Sequence, residues 1–456
     1  MNLQQLQRVE DVPQEKLSGM NVDNLPHQWK AVKLSSQELF AFENGLWTGK
    51  KEPFIDCPVI RNTNFTNDGS LNLSDVAILP IEQRQLEKKR LISGDIIIER
   101  SGGGPQQPVG RVVFFDLTEG NYCFSNFTTR LRVVDRATVD PRYLHLYLLY
   151  FHYSGQTERL QNRTTGIRNL AFEDYKNSLI PLPPYPQQRA IVHVLQTAQE
   201  AIQTRRDELG LERERKAALM EYLFTYGIGG NTVSTRKTRF GKVPQSWKFM
   251  PLEQCAFVQT GIAKGRKLSG NNVLNLPYLR VANVQDGYLD LSDIKYIELR
   301  NTEVERYKLQ SGDVVVTEGG DFDKLGRGVL WKGQIQNCVH QNHIFAVRVN
   351  QKMLMPEYFA YLIQCNYGKA YFLSVAHRTT HLASINSTKL KAFPTLIPSF
   401  SEQKDIVAII DACDAKITSL EQESALLQEL FRTLLEELVA GRLSTLLLIE
   451  KGEAHE

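Results

Sequence analysis

Two stretches of the chain carry apolar residues at alternating spacings of four and three, which is the pattern of a coiled-coil helix. After Phe400 this spacing persists for more than four heptads. Its seam is expected at Ile406, Ile410, Ile417, Leu420, Leu427 and Leu434. The same frame, 215 residues earlier, gives Ile191, Leu195, Ile202, Leu209, Leu219 and Leu223. Each stretch predicts a helix of about 40 residues, roughly 60 Å long.

Both predicted helices have start signals, Pro186 in the first turn of one and Ser401 at the N-cap of the other. The centre of the first helix is charged, at Arg205, Glu212 and Lys216, where the second is apolar or small. These charges indicate either pairing across the seam or contact with another protein. Because a long apolar seam requires a partner, the sequence predicts an antiparallel helix pair within the chain.

The segments between the helices are duplicated as well. Segment 26–29 recurs as 244–247, each Pro-x-x-Trp, and segment 93–98 recurs as 311–316, each Ser-Gly-Asp before three β-branched residues. Short apolar runs such as 96–98 predict strands. The repeat therefore predicts two similar globular heads with pseudo-two-fold symmetry.

The predicted fold class is α+β: two mixed, strand-rich α/β heads joined by two long antiparallel coiled-coil helices. The heads are expected at residues 26–184 and 244–399, and the helices at 185–228 and 400–441. A basic linker is expected at 229–243, where Arg236, Lys237 and Arg239 are either solvated or touch phosphate. The sequence assigns no role to the N-terminal extension (1–25). The C-terminal tail (442–456) either closes the repeat through residues 446–449 or is partly disordered.

Composition adds little that is specific. With 456 residues, 42% hydrophobic and 23% charged, the chain is typical of globular proteins. No apolar run approaches the roughly 18 residues of a membrane span. The N-terminus lacks the apolar core of a signal peptide. Six cysteines without a Cys-x-x-Cys pair favour a cytoplasmic protein without disulfides or structural zinc. The net charge of +3 is neutral on nucleic-acid binding.

Motifs for catalysis are weak. Pro183-Pro184-Tyr185 looks like the end of a methyltransferase base-binding loop, but Leu182 precedes it and cannot accept a hydrogen bond. The glycine-rich stretches 101–104 and 319–320 do not fit a nucleotide-binding fingerprint, and the nine histidines show no metal spacing. We therefore expect a non-catalytic chain with no metal site.

For DNA binding, the candidates are polar and basic residues on predicted loops, since arginine reads guanine, asparagine reads adenine and threonine or lysine holds phosphate. In the first head these are Arg61, Asn64, Arg100, Arg111, Arg163, Thr164, Thr165 and Arg168. In the second head they are Arg266, Arg280, Asn283, Lys324, Arg327, Arg378, Thr379, Thr380 and His381. Residues that read different half-sites should differ between heads, and Arg100 opposite Thr317 is expected to be such a contrast.

These features together resemble the specificity subunit of type I restriction-modification systems. The helix entries IPLPPYPQQRAIVHVL and TLIPSFSEQKDIVAII share a Pro-x-x-x-(Glu/Gln)-Gln-x-x-Ile-Val pattern, and the exits 219–221 and 434–436 match. With the two Pro-x-x-Trp and two Ser-Gly-Asp motifs, the resemblance covers about residues 26–441. Each motif is weak alone, but their order and duplication are specific.

The resemblance implies a non-catalytic reader of double-stranded DNA. Each head, a target recognition domain, would bind half of a bipartite asymmetric site. The helix pair would set the half-site spacing and dock two adenine-N6 methyltransferase subunits, with restriction subunits joining them. S-adenosylmethionine, ATP and Mg would be bound by those partners and not by this chain.

The sequence is compatible with three alternatives. The first is the DNA-binding subunit of a related system in which one partner polypeptide carries both methylation and cleavage. A scaffold with duplicated heads and no DNA contact is a second possibility. A methyltransferase is the third, disfavoured by Leu182 and by the missing cofactor loop.

Overall fold

A computed structural model describes residues 7–8, 25–47, 51–104, 107–164, 167–265, 272–320, 325–378 and 383–445. The chain divides into two compact units. One comprises Met1–Arg205 with Glu423–Glu456, and the other comprises Arg206–Gln422. Each unit thus contains one head together with part of each long helix.

The first head is built around a four-stranded antiparallel sheet. Its strand order is Phe40–Asn44, Thr128–Val133, Asp95–Glu99, Val112–Phe115. The Asp95–Glu99 strand is buried along its whole length because the sheet is covered on both faces. Ile96 and Ile98 join the cluster that contains the helix Pro141–Tyr153, whereas Ile97 joins a second cluster with Phe115. The unbroken apolar run therefore marks the central strand.

Smaller sheets complete this unit. Phe54–Ile60 lies between Ala77–Glu82 and Cys123–Phe124, and Leu179–Leu182 pairs with Lys30–Lys33. A third sheet has the order Gln161–Thr164, Ile167–Leu170, Ser101–Gly103. Near the chain termini, Gln7–Arg8 pairs with Leu443–Ser444. The shorter helices are Gln83–Lys89, Gln156–Arg159, Phe172–Lys176 and the 3-10 turn Asn62–Asn64.

The second head repeats this order. Its four-stranded sheet runs Ala256–Thr260, Ile344–Val349, Val314–Thr317, Gly328–Leu330. Three smaller sheets complete this unit. In one, Val273–Leu279 lies between Lys295–Arg300 and Val339–His340, and in another Ala383–Ser384 lies between Gly319–Gly320 and His377–Arg378. In the third, Lys248–Pro251 pairs with Pro394–Ile397. The helices are Val304–Tyr307, Pro356–Gln364, Asn366–Val375 and Ser387–Lys391, with 3-10 turns at Leu252–Gln254, Val281–Asn283 and Asn301–Glu303.

The Ser-Gly-Asp motif holds the central sheet of each head. The Asp95 carboxylate accepts the Ile92 N–H at 2.8 Å and a two-pronged contact from Arg132 at 2.6 and 2.7 Å. In the second head, Asp313 makes the matching contacts with Gln310 and with Arg348, all at 2.8 Å. Both aspartates are almost fully buried, and a buried carboxylate requires such pairing.

The two long helices are Tyr185–Tyr226, of 42 residues, and Phe400–Val439, of 40 residues. They run antiparallel. In the first unit Leu195 shares a cluster with Leu438, near opposite ends of their helices, and in the second unit Leu223 shares one with Ile406. Among the expected seam residues, the buried ones are Ile191, Leu195, Ile202, Leu223, Ile406, Ile410, Leu420 and Leu434, and the half-buried ones are Leu209, Leu219, Ile417 and Leu427.

The charged centre of the first helix pairs with the second helix. In the first unit, Arg205 Nε lies 3.0 Å from Glu423 Oε2. In the second unit, Lys216 Nζ lies 2.5 Å from Asp414 Oδ1. Glu212 instead pairs with Arg215 on its own helix. Of the two sequence-based alternatives, pairing across the helices is the arrangement that the structure adopts at Arg205 and Lys216.

Each long helix is fixed to its head by a buried glutamine in the first turn. Gln188 accepts the Asp140 N–H at 2.8 Å and donates to the carbonyls of Thr138 and Pro183 at 2.9 and 2.8 Å. Gln403 accepts the Met355 N–H and donates to the carbonyls of Met353 and Pro398 in the same way. The preceding side chains, Gln187 and Glu402, accept the indole N–H of Trp29 and of Trp247. The repeated helix entry and the Pro-x-x-Trp motif therefore form one joint.

The linker between the repeats is folded. Thr235–Thr238 pairs with Gly241–Pro244 as a hairpin, and a 3-10 turn precedes it at Gly230–Thr232. Gly241 has a φ of 143°, which favours glycine at this turn. Arg236 donates to the Trp247 carbonyl at 2.7 Å and lies over the Phe249 ring, so this side chain is engaged in the fold.

No helix in the described ranges is long and apolar enough to cross a membrane. All six cysteines are unpaired and buried.

Candidate nucleic-acid interface

The central strand is Asp95–Glu99 in the first head and Val314–Thr317 in the second. In both heads it leads into a glycine-rich strand, and that strand pairs with a polar hairpin. Ser101–Gly103 pairs with Ile167–Leu170 in the first head, and Gly319–Gly320 pairs with Ala383–Ser384 in the second. A Cβ atom on Gly319 would lie 2.6 Å from the Ala383 carbonyl, so the close approach requires glycine here. The pairing brings Arg163, Arg168 and Arg378, which we expected on loops, to strands of hairpins beside the end of the central strand.

The first head places Arg100 where these strands meet. Its Nη1 donates to Asn44 Oδ1 at 2.6 Å, and its guanidinium carbon lies 4.4 Å from the centre of the Phe172 ring. Burial lowers the pKa of Arg100, and the charge of Glu173 partly offsets that effect. Arg168, on the adjoining hairpin, donates to Gln161 Oε1 at 3.4 Å. Both arginines are half-buried.

Arg111 is committed to the fold. It lies 2.8 Å from Glu99, donates to the carbonyls of Phe65 and Asn62, and has a side chain only 11% exposed. The Glu99 side chain is 2% exposed, so the pair neutralises a charge that would otherwise be buried alone. The arrangement gives Arg111 a structural task that its position in the sequence did not reveal.

Asn64 and Asn283 close equivalent turns. The Asn64 side chain accepts the Arg61 N–H and donates to the carbonyls of Asn72 and Asp75. Asn283 accepts the Arg280 N–H and makes the matching bonds to Asp290 and Asp293. Both asparagines are 3% exposed, so these amides are used within the heads.

The neighbouring arginines differ in their burial. Arg61 Nη2 lies 3.9 Å from Asp75, and its side chain is 38% exposed. Arg280 donates to the Asp293 carboxylate at 2.9 Å and its side chain is 20% exposed. Both are held by a carboxylate, with Arg61 the more accessible of the two.

The structure corrects one expected correspondence between the heads. The Glu99 N–H donates to the Arg111 carbonyl, and the Thr317 N–H donates to the Arg327 carbonyl, both at 2.9 Å. Glu99 is therefore the counterpart of Thr317. Arg100, which we expected opposite Thr317, instead matches Glu318, one position later. The expected pairing was wrong by one residue: nothing is inserted between the Ser-Gly-Asp motif and this position, so the offset of 218 residues that relates the two motifs still applies here.

The backbone hydrogen bonds of Arg100 and Glu318 themselves show which residues lie beside them. The Arg100 N–H donates to the Phe127 carbonyl at 2.8 Å, and the Glu318 N–H donates to the His343 carbonyl at 2.9 Å. The His343 ring Nδ1 also meets the Glu318 carboxylate at 2.5 Å. Sequence reasoning missed Glu318, His343 and Phe127. Counting 218 residues from the Ser-Gly-Asp motif would have aligned Arg100 with Glu318.

Arg327 lies on the same part of the second head, and its Nη1 donates to Gln285 Oε1 at 3.1 Å. Arg163, Thr164 and Arg378 are described by their backbone, in the strands Gln161–Thr164 and His377–Arg378. The remaining predicted DNA-binding residues lie outside the described residues: Thr165, Arg266, Lys324, Thr379, Thr380 and His381.

The segment that looked like a base-binding loop forms a helix start. The Pro184 carbonyl accepts the N–H groups of Gln187 and Gln188, and the Pro183 carbonyl accepts the Gln188 side chain. Within the described ranges, no group of three or more His, Cys, Asp or Glu side chains is placed to hold a metal ion.

The family model for the type I restriction modification DNA specificity domain matches the chain twice, over residues 26–210 and 244–429. The two matches cover most of the chain and correspond to its two repeats. The chain therefore belongs to the type I restriction-modification specificity subunit family, whose role is DNA specificity.

Two relatives are also type I specificity subunits, in agreement with this family assignment. The chain is 23% identical over 429 residues to the EcoKI specificity subunit of Escherichia coli K12, covering 89% of this chain and 86% of the relative. It is 23% identical over 424 residues to the StySPI specificity subunit of Salmonella potsdam, with the same coverage.

Solved structures show the same fold. A chain from work on complex assembly and conformational transition of the type I R-M system has a TM-score of 0.57 at 17% identity, covering 91% of this chain and 98% of that one. The S subunit from M. genitalium has a TM-score of 0.50 at 15% identity, covering 91% and 96%. The α+β architecture expected from the sequence, with duplicated heads and two long antiparallel helices, is confirmed.

Proposed function

We propose that this chain reads a bipartite, asymmetric DNA site, with one half-site bound by each head. The observation that carries the proposal is the duplicated strand-and-hairpin surface. Both heads use the same backbone bonds after the central strand, yet they present Arg100 in one and Glu318 in the other. A shared scaffold with different polar side chains suits two heads that read different bases in the same geometry.

The second part of the proposal concerns the long helices. They set the spacing between the half-sites and dock two adenine-N6 methyltransferase subunits, to which restriction subunits add. S-adenosylmethionine, ATP and Mg then belong to those partners, in the cytoplasm, and this chain supplies specificity without catalysis. Support comes from the family assignment and from the apolar seam, which holds the helix pair together inside this chain and leaves its outer faces to partners.

The proposed DNA contacts retain the predicted residues but divide them by task. Arg100, Arg168 and Arg327, with the hairpin residues around Arg163 and Arg378, are proposed to face DNA. Asn64, Asn283 and Arg111 are proposed to shape that surface, because their polar atoms are bonded within the heads.

The test is DNA binding by the full chain assembled with its methyltransferase subunits. A pool of randomised duplexes is bound at low salt and at roughly 0.2 M salt, and the retained molecules are sequenced. We expect affinity to fall steeply with salt, as phosphate contacts require, and a split motif to be enriched. Enrichment of no sequence would favour a protein scaffold. Binding of S-adenosylmethionine by this chain alone would instead favour a methyltransferase.

A further inference from the structure

One backbone position differs in charge between two heads that are otherwise built alike. Arg100 and Glu318 both follow the central strand and both precede the glycine-rich strand. Their carbonyls accept the N–H groups of Leu170 and Ile385, at 2.8 and 2.7 Å. The two residues therefore occupy equivalent backbone positions in the two heads, although one side chain is cationic and the other anionic.

The residues whose carbonyls accept the N–H groups of Arg100 and Glu318 also differ between the heads. The first head has Phe127, which is 48% exposed, at the position of His343, and the Arg100 side chain instead donates to Asn44 and lies over the Phe172 ring. Beside Glu318 stands His343, whose ring Nδ1 contacts one carboxylate oxygen. The Glu318 side chain is 27% exposed and that of His343 is 55% exposed, so the pair lies at the surface. Only one carboxylate oxygen of Glu318 is bonded to the part of the chain that the structure describes.

A carboxylate is an unfavourable group on a surface that approaches phosphates, because like charges repel. A hydrogen bond that it accepts from a base offsets this repulsion. In the major groove, the exocyclic N4 amine of cytosine is the donor that a glutamate reads, whereas an arginine fork reads O6 and N7 of guanine. The charge difference between the heads thus corresponds to two different base preferences.

Resting on the proposed function, we propose that the residue after the central strand is a specificity-determining position in each head. Arg100 reads a guanine in the half-site of the first head. Glu318 accepts from the N4 amine of a cytosine in the half-site of the second head, and His343 orients its carboxylate. This assignment names the bases and adds Glu318 and His343, which sequence patterns did not indicate.

The test compares the sites modified by the full chain with its methyltransferase subunits, using wild type, Glu318→Gln and Arg100→Gln. Modified duplexes are selected from a library in which each half-site is varied one base pair at a time. Glu298→Gln is the matched control, since Glu298 is an exposed glutamate on the Lys295–Arg300 strand of the second head.

For Glu318→Gln we expect discrimination at one C·G pair of the second half-site to fall about tenfold or more, with A·T gaining, because glutamine reads adenine. The first half-site and the Glu298→Gln motif stay as in wild type. Arg100→Gln should relax one G·C pair of the first half-site only. A His343→Gln chain should weaken the same base pair as Glu318→Gln, and not the others.

Two results overturn the inference while leaving the proposed function intact. One is an unchanged second half-site in Glu318→Gln; the other is a uniform loss of activity on all sequences, with no base pair relaxed. Either result would make the pair of Glu318 and His343 a structural contact. Absence of any split motif with the wild-type chain, while the methyltransferase is active, would instead contradict the proposed function.

Discussion

At the scale of single residues, the partners of a side chain decide its task. Arg100 and Arg111 are equally good candidates for DNA contact in the sequence. In the structure Arg111 is enclosed by Glu99 and two backbone carbonyls, whereas Arg100 is half-buried, donates to Asn44 and lies over the Phe172 ring. Sequence patterns find the arginine, but the residue it pairs with is twelve positions away and is visible only in the fold.

Arg111→Ala tests this assignment. The variant leaves the Glu99 carboxylate buried without its cation, and the free energy of unfolding should fall by about 3–5 kcal/mol. Urea denaturation of the full chain measures the change. Arg159→Ala, at an exposed arginine of the same head, is the control and should shift stability by less than about 0.5 kcal/mol. An unchanged unfolding midpoint in Arg111→Ala would remove its structural role.

His145 predicts a pH dependence of stability. Burial lowers its pKa from 6.5 to about 3, helped by the charge of Arg142 and opposed by the backbone at Gly69 and Val112 and the charge of Asp68. Between pH 6.5 and 3 the unfolded chain binds a proton that the folded chain does not, so stability falls as the pH falls. Melting temperatures of wild type and His145→Leu should diverge below about pH 6, with the variant losing less. Parallel curves would contradict the buried, neutral imidazole.

At the scale of elements, the long helices were predictable, whereas the joint to each head was not. The expected N-cap Ser401 was wrong, because the second helix begins at Phe400 and Ser399 Oγ accepts the Glu402 N–H. A heptad pattern reports burial along one face, and this suffices to place both helices. Thr138 and Asp140, which bond the Gln188 side chain, lie about 50 residues before it in the sequence. The structural role of the repeated glutamine could therefore not be inferred from the sequence. The linker hairpin was also missed, because its alternation is polar on both faces and resembles a solvated loop.

Gln403→Ala should weaken the joint between the second helix and its head. It leaves the Met355 N–H and two carbonyls without their partner in a fully buried site, at a cost of about 3 kcal/mol. Gln422→Ala, at an exposed position of the same helix, is the control and should be close to neutral. Equal unfolding midpoints for the two variants would show that the amide contributes nothing.

The helix pair allows a direct comparison of apolar packing with ion pairing. Ile410 is fully buried, and Ile410→Ala should cost about 2–5 kcal/mol. Lys216→Ala breaks an ion pair whose Asp414 side chain is 40% exposed, and should cost less than about 1 kcal/mol. Thermal or urea unfolding of both variants decides the order. A larger loss in Lys216→Ala would mean that charge, and not the seam, holds the helices together.

At the scale of the whole molecule, duplication is the feature that carried the sequence interpretation furthest. Repeated motifs, 218 residues apart in the heads and 215 apart in the helices, predicted two heads and two long helices, and the family model matches the same two repeats. The offset must nevertheless be counted residue by residue, since 217 in place of 218 pairs Arg100 with Thr317 and misses Glu318. Duplication thus indicates architecture, while the side chains that distinguish the heads require the backbone pairing to be known.

We propose that each head independently reads one half of a split DNA site. The most direct measurement is a map of modified adenines in DNA from cells that express the methyltransferase with this chain, and with a chain whose residues 26–184 come from a relative. We predict a motif of two short, different half-sites with a fixed gap, in which the exchange alters one half only. The absence of chain-dependent modification, or a change in both halves after exchange, would contradict the account.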